Sequence, residues 1–189
     1  RLGAAGGREF QLTPAGEFRA RDGRPEKLPG WKIDTEIASR LIAAAQARQT
    51  PLVVDYEHQT LLAEKNGQPA PASGWFHDLE WREGQGLFAV NVAWTERAAA
   101  MIAAGEYKLI SPVFSYDPQS GAVREILCAA LTNNPALDGM QAVTAALRSN
   151  FSNDEETHMK QLLAALGLPE TATEAEALAA LAALKSTNA

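Results

Sequence analysis

The sequence predicts an α+β fold in which antiparallel strands outnumber helices. Short apolar or alternating runs recur along the chain, and glycine, proline and Asp-Gly turn signals separate them, which is typical of strands and hairpins. Two helical stretches with good N-cap residues lie between the strand runs. The chain has 189 residues, 46% of them hydrophobic, so it is long enough to bury a real core.

The first part of the chain predicts two short strands and a helix. Residues 10–12 and 17–20 are the strands, and we expect them to form a hairpin at the edge of a sheet. Asp34 is a good N-cap for the helix that follows. That helix must end near Pro51, because proline blocks its continuation.

The middle of the chain predicts three strands and a long loop. Residues 52–56 form an apolar, buried strand that leads directly into His58. Residues 59–73 predict a long loop, because glycine and proline interrupt them repeatedly, and a loop of this length is often functional or mobile. Residues 75–81 alternate as a half-buried strand does, and residues 87–94 return as its hairpin partner.

A second helix and a second hairpin follow. Thr95 is placed to cap a short helix over residues 96–104. Residues 107–116 predict a strand, a turn follows at 117–121, and residues 122–131 return as the partner strand.

Beyond residue 150 the character of the chain changes. We therefore assign residues 8–150 to one domain, 151–158 to a polar linker and 159–189 to a helical region. Three leucines of this region lie on one stripe, which suits either a partner surface or the chain's own domain: Leu178, Leu181 and Leu184.

Composition excludes some classes of function. The net charge of −6 argues against a nucleic-acid partner, which would favour a basic surface. Cys128 is the only cysteine, so no intrachain disulfide can form, and a reducing cytosol fits. No apolar run is long enough for a transmembrane helix, and no membrane association is expected.

The three histidines differ in their surroundings. His158 lies in the polar linker, where we expect it to be solvated, and His77 lies in the alternating strand, which favours a half-exposed structural role. His58 follows a buried strand, beside Asp55 and Glu57, at the start of the long loop. It is therefore the candidate for a chemical role.

Ser111 is the candidate nucleophile because it interrupts an apolar strand. A buried hydroxyl costs free energy unless it is hydrogen-bonded or lies at an open edge. A neutral imidazole, such as that of His58, can take the serine proton near pH 7. A structural serine in a strand is the common alternative, and the chain has no Gly-x-Ser-x-Gly motif.

A metal site is a weaker alternative. Asp55, Glu57 and His58, with His77, supply possible ligands. Metal sites usually carry further ligands at recognisable spacing, and these are absent here, so no metal or other cofactor is expected.

Five segments, in this order, resemble the Mu-like prophage I proteins. They are residues 54–60 (VDYEHQT), 71–75 (PASGW), 94–98 (WTERA), 107–114 (YKLISPVF) and 130–137 (ALTNNPAL). That family comprises prohead, or capsid maturation, proteases of tailed phages, which are fused to a scaffold. The resemblance implies a mainly antiparallel β-barrel flanked by helices, similar to the herpesvirus assemblins, with a helical C-terminal appendage.

The resemblance also implies the site residues. The nucleophile falls on Ser111 and the base on His58, while in relatives a third residue, His or an acid, lies on the strand after the serine strand. If the turn at 117–121 closes a simple hairpin, however, Cys128 lies opposite Ser111, and a cysteine orients an imidazole poorly. The third residue therefore stays open, with a serine–histidine dyad as one possibility; the candidate acids are Asp55, Glu57, Glu125 and Asp138. Backbone N–H groups at 132–134 are the expected oxyanion donors.

The implied function is a serine endopeptidase that cleaves scaffold and capsid proteins, and itself, during prohead maturation. The implied partners are the phage scaffold and major capsid proteins, with self-association, and the expected location is the host cytoplasm, inside the assembling prohead. A non-catalytic assembly module on the same fold is the alternative. Met159 is a candidate internal start of a shorter scaffold, and the chain's end at Ala189 is either a processing end or an arbitrary boundary.

Overall fold

Three β-sheets and three helices make up the part of the chain that the structure, a computed structural model, describes. It describes residues 8–143 and the single residue Pro169. The predicted linker, Met159 and the predicted helical region, apart from Pro169, lie outside the described residues. The domain boundaries predicted from the sequence therefore stay predictions.

The helices are α1 (Thr35–Gln46), α2 (Gln59–Asn66) and α3 (Glu96–Ala103). The strands are β1 (Phe10–Pro14), β2 (Gly16–Phe18), β3 (Trp31–Ile33), β4 (Leu52–Tyr56), β5 (Ala72–Phe76), β6 (Asp78–Arg82), β7 (Gly86–Val90), β8 (Ala93–Trp94), β9 (Leu109–Tyr116) and β10 (Val123–Thr132). None of the helices in the described part of the chain is long and apolar enough to cross a membrane.

The sheets confirm an α+β fold with mainly antiparallel strands. The largest sheet has the order β8-β5-β4-β10-β9, and a second sheet has the order β1-β7-β6, while β2 and β3 form a separate ribbon. Within the largest sheet, β4 and β10 run parallel and the other neighbours are antiparallel. The described strands form no closed barrel, because the largest sheet ends at β8 and β9 and the strands β1, β6 and β7 pair with one another. The expected barrel is therefore not found in residues 8–143.

The hydrophobic core lies against one face of the largest sheet. Strand alternation sends Val54, Ile110 and Leu131 into this core, where they are almost completely buried. Helix α1 packs against β6 and β10 and adds Ile37 and Leu41 to the same cluster. The intervening strand residues must therefore point to the opposite face of the sheet, which we call the outer face.

The predicted edge hairpin near the N-terminus is wrong. Strand β1 pairs with β7 instead, and β2 pairs with β3. The pairing of β1 with β7 requires Gly86, because a Cβ atom at this position would lie 2.0 Å from the carbonyl oxygen of Thr13. Glycine thus allows an approach between two backbones that the local pattern near residue 10 does not reveal.

The predicted loop over residues 59–73 is also wrong, since most of it forms α2 and the start of β5. Helix α2 has no buried residue, and both Leu61 and Leu62 are exposed, so it lacks the apolar period that marks a helix in a sequence. Its first turn is instead held by the preceding strand, because the Asp55 carboxylate accepts a hydrogen bond of 2.6 Å from the N–H of Thr60.

The N-cap of α1 offers a test of the local folding rules. Asp34 Oδ1 accepts a hydrogen bond of 2.8 Å from the N–H of Ile37, as predicted. We expect Asp34→Ala to lower the free energy of unfolding by about 1 kcal/mol, and Asp34→Asn to change it by much less, because asparagine also caps helices. Urea denaturation followed by circular dichroism measures both; equal losses in the two variants would contradict the capping role.

Candidate active site

Ser111 lies on β9, at the edge of the largest sheet, and points to the outer face. Its neighbour Ile110 enters the core, and strand alternation directs Ser111 the opposite way. The serine is only 2% exposed. Its Oγ accepts a long contact of 3.5 Å from the N–H of Ala136, in the segment that follows β10. The hydroxyl is thus buried with a weak partner.

The residue opposite Ser111 is Ala130, and the expected pairing with Cys128 is wrong. The turn closes as expected, with the N–H of Asp117 donating to the carbonyl of Ala122 at 2.8 Å. Two β-bulges then shift the register between β9 and β10, so that Cys128 pairs with Val113 instead. Each bulge adds one residue to β10, and a two-residue shift keeps the same face but changes the partner.

Asp55 lies in the same transverse row as Ser111. On β10, Ala130 pairs with Ser111 on one side and with Asp55 of β4 on the other. Asp55 is completely buried. Its Oδ2 accepts the hydrogen bond from Thr60, whereas its Oδ1 is buried and has no partner among the described residues.

A tight reversal follows β4 and carries the other two candidates. Glu57 and His58 have φ angles of 54° and 60°, the left-handed region that non-glycine residues seldom adopt. The reversal is fixed to β10, because the N–H of Glu57 donates to the carbonyl of Leu131 at 3.1 Å. The Glu57 carboxylate also accepts a hydrogen bond of 2.6 Å from the hydroxyl of Thr132.

His58 is half-buried, and its environment favours the neutral imidazole. Burial lowers its pKa below the usual value of 6.5, the carboxylates of Asp55 and Glu57 oppose this change, and Arg24 adds to it. The ring atom Nδ1 is buried and has no hydrogen-bond partner in the described part of the chain. A general base requires a neutral imidazole with one ring nitrogen able to accept a proton.

Asp55, Glu57 and His58 lie close together, and Ser111 lies two strands from Asp55 on the same face of the sheet. Two strand spacings separate Ser111 from Asp55, which is roughly 10 Å between their Cα atoms. No hydrogen bond joins Ser111 to His58 within residues 8–143; the Ser111 hydroxyl contacts Ala136 instead.

The remaining candidates for a third residue lie in other interactions. Glu125 pairs with Ser115 in the sheet and forms an ion pair of 3.3 Å with Arg48. Asp138 accepts a hydrogen bond from the N–H of its neighbour Gly139. Neither contact involves His58.

Cys128 also faces outward but is not an activated thiol. Burial raises its pKa to about 11, and the nearby charge of Asp55 contributes. The thiol therefore stays protonated at neutral pH, whereas a nucleophilic cysteine needs a lowered pKa.

Sequence reasoning missed one backbone group, the N–H of Ala136. In the predicted oxyanion segment, the N–H of Asn134 already donates to the hydroxyl of Thr132 at 3.1 Å. The N–H of Ala136 instead points at Ser111 Oγ. The turn signal at Asn133, Asn134 and Pro135 marks this segment, but no sequence pattern shows which amide faces the serine.

His77 lies in the connection between β5 and β6 and was also one of the possible metal ligands. The predicted continuous strand breaks at His77, whose ring nitrogens contact the Arg48 carbonyl at 2.9 Å and the Asp78 carboxylate at 3.4 Å. These contacts fit the structural role predicted for His77.

The metal alternative finds no support in the described residues, where no group of three or more His, Cys, Asp or Glu side chains is arranged to hold a metal ion.

Fold and site together define an α+β protein with a candidate nucleophile, Ser111, on the outer face of a mixed sheet and a candidate base, His58, just beyond the end of β4. Comparison with known proteins is more specific. Residues 10–144 match the family described as Mu-like prophage I protein, N-terminal domain. Because this match covers more than half of the chain, the chain belongs to that family, which confirms the resemblance seen in the sequence.

Two curated relatives match over most of the chain. It is 43% identical over 192 aligned residues to "Protease I" of Escherichia phage Mu, covering 92% of this chain and 53% of that protein. It is 39% identical to "Mu-like prophage FluMu I protein" of Haemophilus influenzae, covering 93% of this chain and 53% of that protein. The chain thus spans about half the length of these relatives. No solved structure matches it significantly.

The environments of His58 and His77 predict opposite titration behaviour. Burial lowers the pKa of His58 below 6.5, whereas the Arg48 carbonyl and the Asp78 carboxylate raise the pKa of His77 above 6.5. Nuclear magnetic resonance of the imidazole protons should therefore show His58 titrating at lower pH than His77. His77→Asn and His158→Asn assign the signals, and a His58 midpoint above that of His77 would contradict the described environments.

Proposed function

We propose that this chain contains a serine endopeptidase that cleaves scaffold and capsid proteins during phage prohead maturation. Ser111 is its nucleophile and His58 its general base. The name of the phage Mu relative, Protease I, supports a protease in this family. The substrates, the fusion to a scaffold, self-cleavage and self-association belong to the proposal and derive from the family resemblance.

One observation supports this site more than any other. The reversal after β4 places a half-buried imidazole, whose burial lowers its pKa, three residues after Asp55, which shares a row of the sheet with the buried Ser111. A serine hydroxyl is a weak nucleophile until a neighbouring base takes its proton. A neutral histidine is the side chain best suited to that task near pH 7.

In the proposed acylation, His58 takes the proton from Ser111 Oγ as the oxygen attacks a peptide carbonyl carbon. A bond forms between Oγ and this carbon, and the carbonyl oxygen becomes an oxyanion. The protonated His58 then gives its proton to the departing amine as the peptide bond breaks, which leaves an ester on Ser111.

The oxyanion needs donors that are in place before the reaction. We assign one of them to the N–H of Ala136, since it already points at Ser111 Oγ from 3.5 Å. The carbonyl of Ala136 accepts a hydrogen bond of 2.8 Å from the N–H of Arg21, which fixes the orientation of this segment.

Water completes the cycle. His58 removes a proton from a water molecule, which attacks the ester carbon and releases the acyl group as a carboxylic acid. The proton returns to Ser111 Oγ through His58. Each step uses His58 as base and then as acid, so the same imidazole serves both halves of the reaction.

A non-catalytic assembly module is the second candidate, and two observations favour it. Ser111 is almost completely buried, and no hydrogen bond joins it to His58 in the described residues. Catalysis therefore requires His58 to approach Ser111 and the segment around Ala136 to admit a substrate. Activity measurements on matched variants distinguish the two candidates.

For the protease, the proposed setting is the host cytoplasm, inside the assembling prohead. Scaffold and major capsid proteins surround the enzyme there and are its proposed substrates. In this proposal residues 159–189 are the start of the helical scaffold region, and Met159 is the proposed start of a shorter scaffold product.

Removal of either reacting group should abolish proteolysis. We expect Ser111→Ala and His58→Ala to lower cleavage of the phage's scaffold and major capsid proteins at least 10³-fold, since each variant lacks a group used in every step. Ser115→Ala is the matched control, because Ser115 lies on the same strand opposite Glu125. Mass spectrometry of the products measures cleavage. Processing that survives in Ser111→Ala would exclude this mechanism and favour the assembly module.

The pH profile follows from the environment of His58. Only the neutral imidazole acts as a base, and burial lowers the pKa of His58 below 6.5. Cleavage should therefore be lost as the pH falls, with kcat/KM showing an inflection below pH 6.5. A rising limb centred well above pH 7 would show that a group other than this imidazole controls the reaction.

A further inference from the structure

We infer that Asp55 is the positioning residue of the site: in the active enzyme its Oδ1 accepts a hydrogen bond, not formed in the described structure, from the Nδ1–H of His58, and this bond holds the imidazole above Ala130, toward Ser111. This inference rests on the proposed function. It also departs from the expectation that the third residue lies on the strand after the serine strand, since that position holds Ala130.

The register supplies the first argument. Ser111, Ala130 and Asp55 form one row across three adjacent strands, with Ala130 in the middle. Paired residues on neighbouring strands point to the same face, so both end residues border the space above Ala130. The row spans roughly 10 Å between its outer Cα atoms. An imidazole with a hydrogen bond of about 2.8 Å at each ring nitrogen has a suitable length to bridge the two side chains.

The small side chain of Ala130 supplies the second argument. Ala130 is completely buried, yet it does not belong to the main hydrophobic cluster, whereas its neighbours Ala129 and Leu131 do. It therefore faces the outer side of the sheet. Ala130 has no exposed surface, so other atoms already cover its methyl group, which leaves more space between Ser111 and Asp55 than a larger side chain would.

Two unpaired atoms supply the third argument. Asp55 Oδ1 and His58 Nδ1 are both buried and both lack a partner in the described part of the chain. A buried polar atom without a partner costs about 1–3 kcal/mol, so the two atoms together disfavour the arrangement as it stands. One hydrogen bond between them satisfies both. It also places the proton on Nδ1 and leaves Nε2 free to accept the proton of Ser111.

The neighbouring acid, Glu57, has another hydrogen-bond partner. The Glu57 carboxylate already accepts the hydrogen bond from the hydroxyl of Thr132. The charged groups that act on His58 are Asp55, Glu57 and Arg24. Of the two carboxylates, Asp55 has an unpaired oxygen and lies in the row of Ser111.

Isosteric variants of the two acids test the assignment without any substrate. In the full chain, nitrogen-15 chemical shifts of His58 should show the Nδ1–H tautomer in the wild-type protein. Asp55→Asn should lower the pKa of His58 and shift the tautomer, because the amide can donate to Nδ1. Glu57→Gln should change both much less. Unchanged His58 shifts and pKa in Asp55→Asn would overturn the inference.

Activity adds a second readout. Asp55→Asn should lower kcat on the order of 10³-fold with little change in KM, as expected for a residue that acts through the histidine. Glu57→Gln should stay within a few-fold of wild type. If Ser111→Ala still cleaves, the proposed function fails, whereas the tautomer of His58 still decides the role of Asp55.

Variants at Ala130 test independently whether the His58 imidazole lies above Ala130. They also serve as the test if Asp55→Asn does not fold. Ala130→Val should displace the imidazole, changing the His58 tautomer and lowering kcat at least 10²-fold, while Ala130→Ser should preserve both. Circular dichroism confirms that each variant is folded. His58 shifts and activity that stay unchanged in Ala130→Val would show that the imidazole does not occupy this space, and would overturn the inference.

Discussion

The parallel pairing of β4 with β10 is the constraint on which the candidate site depends. Because the two strands run in the same direction, their C-terminal ends reach the same edge of the sheet, with Tyr56 beside Leu131. The residues that follow each strand therefore meet, and Glu57 contacts Thr132 there. Strand β9 runs antiparallel to β10, so Ser111, which is near the start of β9, lies close to the C-terminal ends of β4 and β10. An all-antiparallel arrangement of these three strands would send the end of β4 to the opposite edge.

The reversal after β4 places a histidine at this edge at an energetic cost. Two consecutive non-glycine residues adopt left-handed backbone angles, which disfavours the folded state by on the order of 1–2 kcal/mol per residue. Hydrogen bonds from Glu57 to β10 and from Thr60 to Asp55 stabilise the reversal. Strain that is held by surrounding contacts often marks a functional site. Here it turns the chain so that His58 stays beside the sheet.

Local features of the fold could be predicted from the sequence, because local patterns determine them. The caps at Asp34 and Thr95 accept hydrogen bonds from the residues expected, and most strands lie where alternation places them. The helix over residues 59–66 could not be predicted, since it buries no side chain and depends on a carboxylate of the preceding strand. The pairing of β1 with β7, and the absence of a barrel among the described strands, depend on contacts between distant segments.

For the site, too, local sequence patterns identify candidate residues, whereas their partners depend on contacts between distant segments. Residue type and an apolar context were sufficient to single out Ser111 and His58. The partner of Ser111 could not be predicted, because two bulges in β10 replace Cys128 by Ala130 and no turn or glycine signal marks either bulge. Asp55 stayed one candidate among four for the same reason. Only the register shows that it shares a row with Ser111.

The distribution of unpaired polar atoms bears on whether this region is structural or functional. Within the described residues, five buried side-chain atoms lack a hydrogen-bond partner, and three of them belong to Asp55, Tyr56 and His58. Buried polar groups that serve only the fold are nearly always paired, because each unpaired group destabilises it. Their concentration in one stretch of four residues, beside a buried serine with a single weak contact, is difficult to explain by stability alone. A direct hydrogen bond between Asp55 and His58 in the active enzyme would pair two of these three atoms, which is why the unpaired groups point to a functional role.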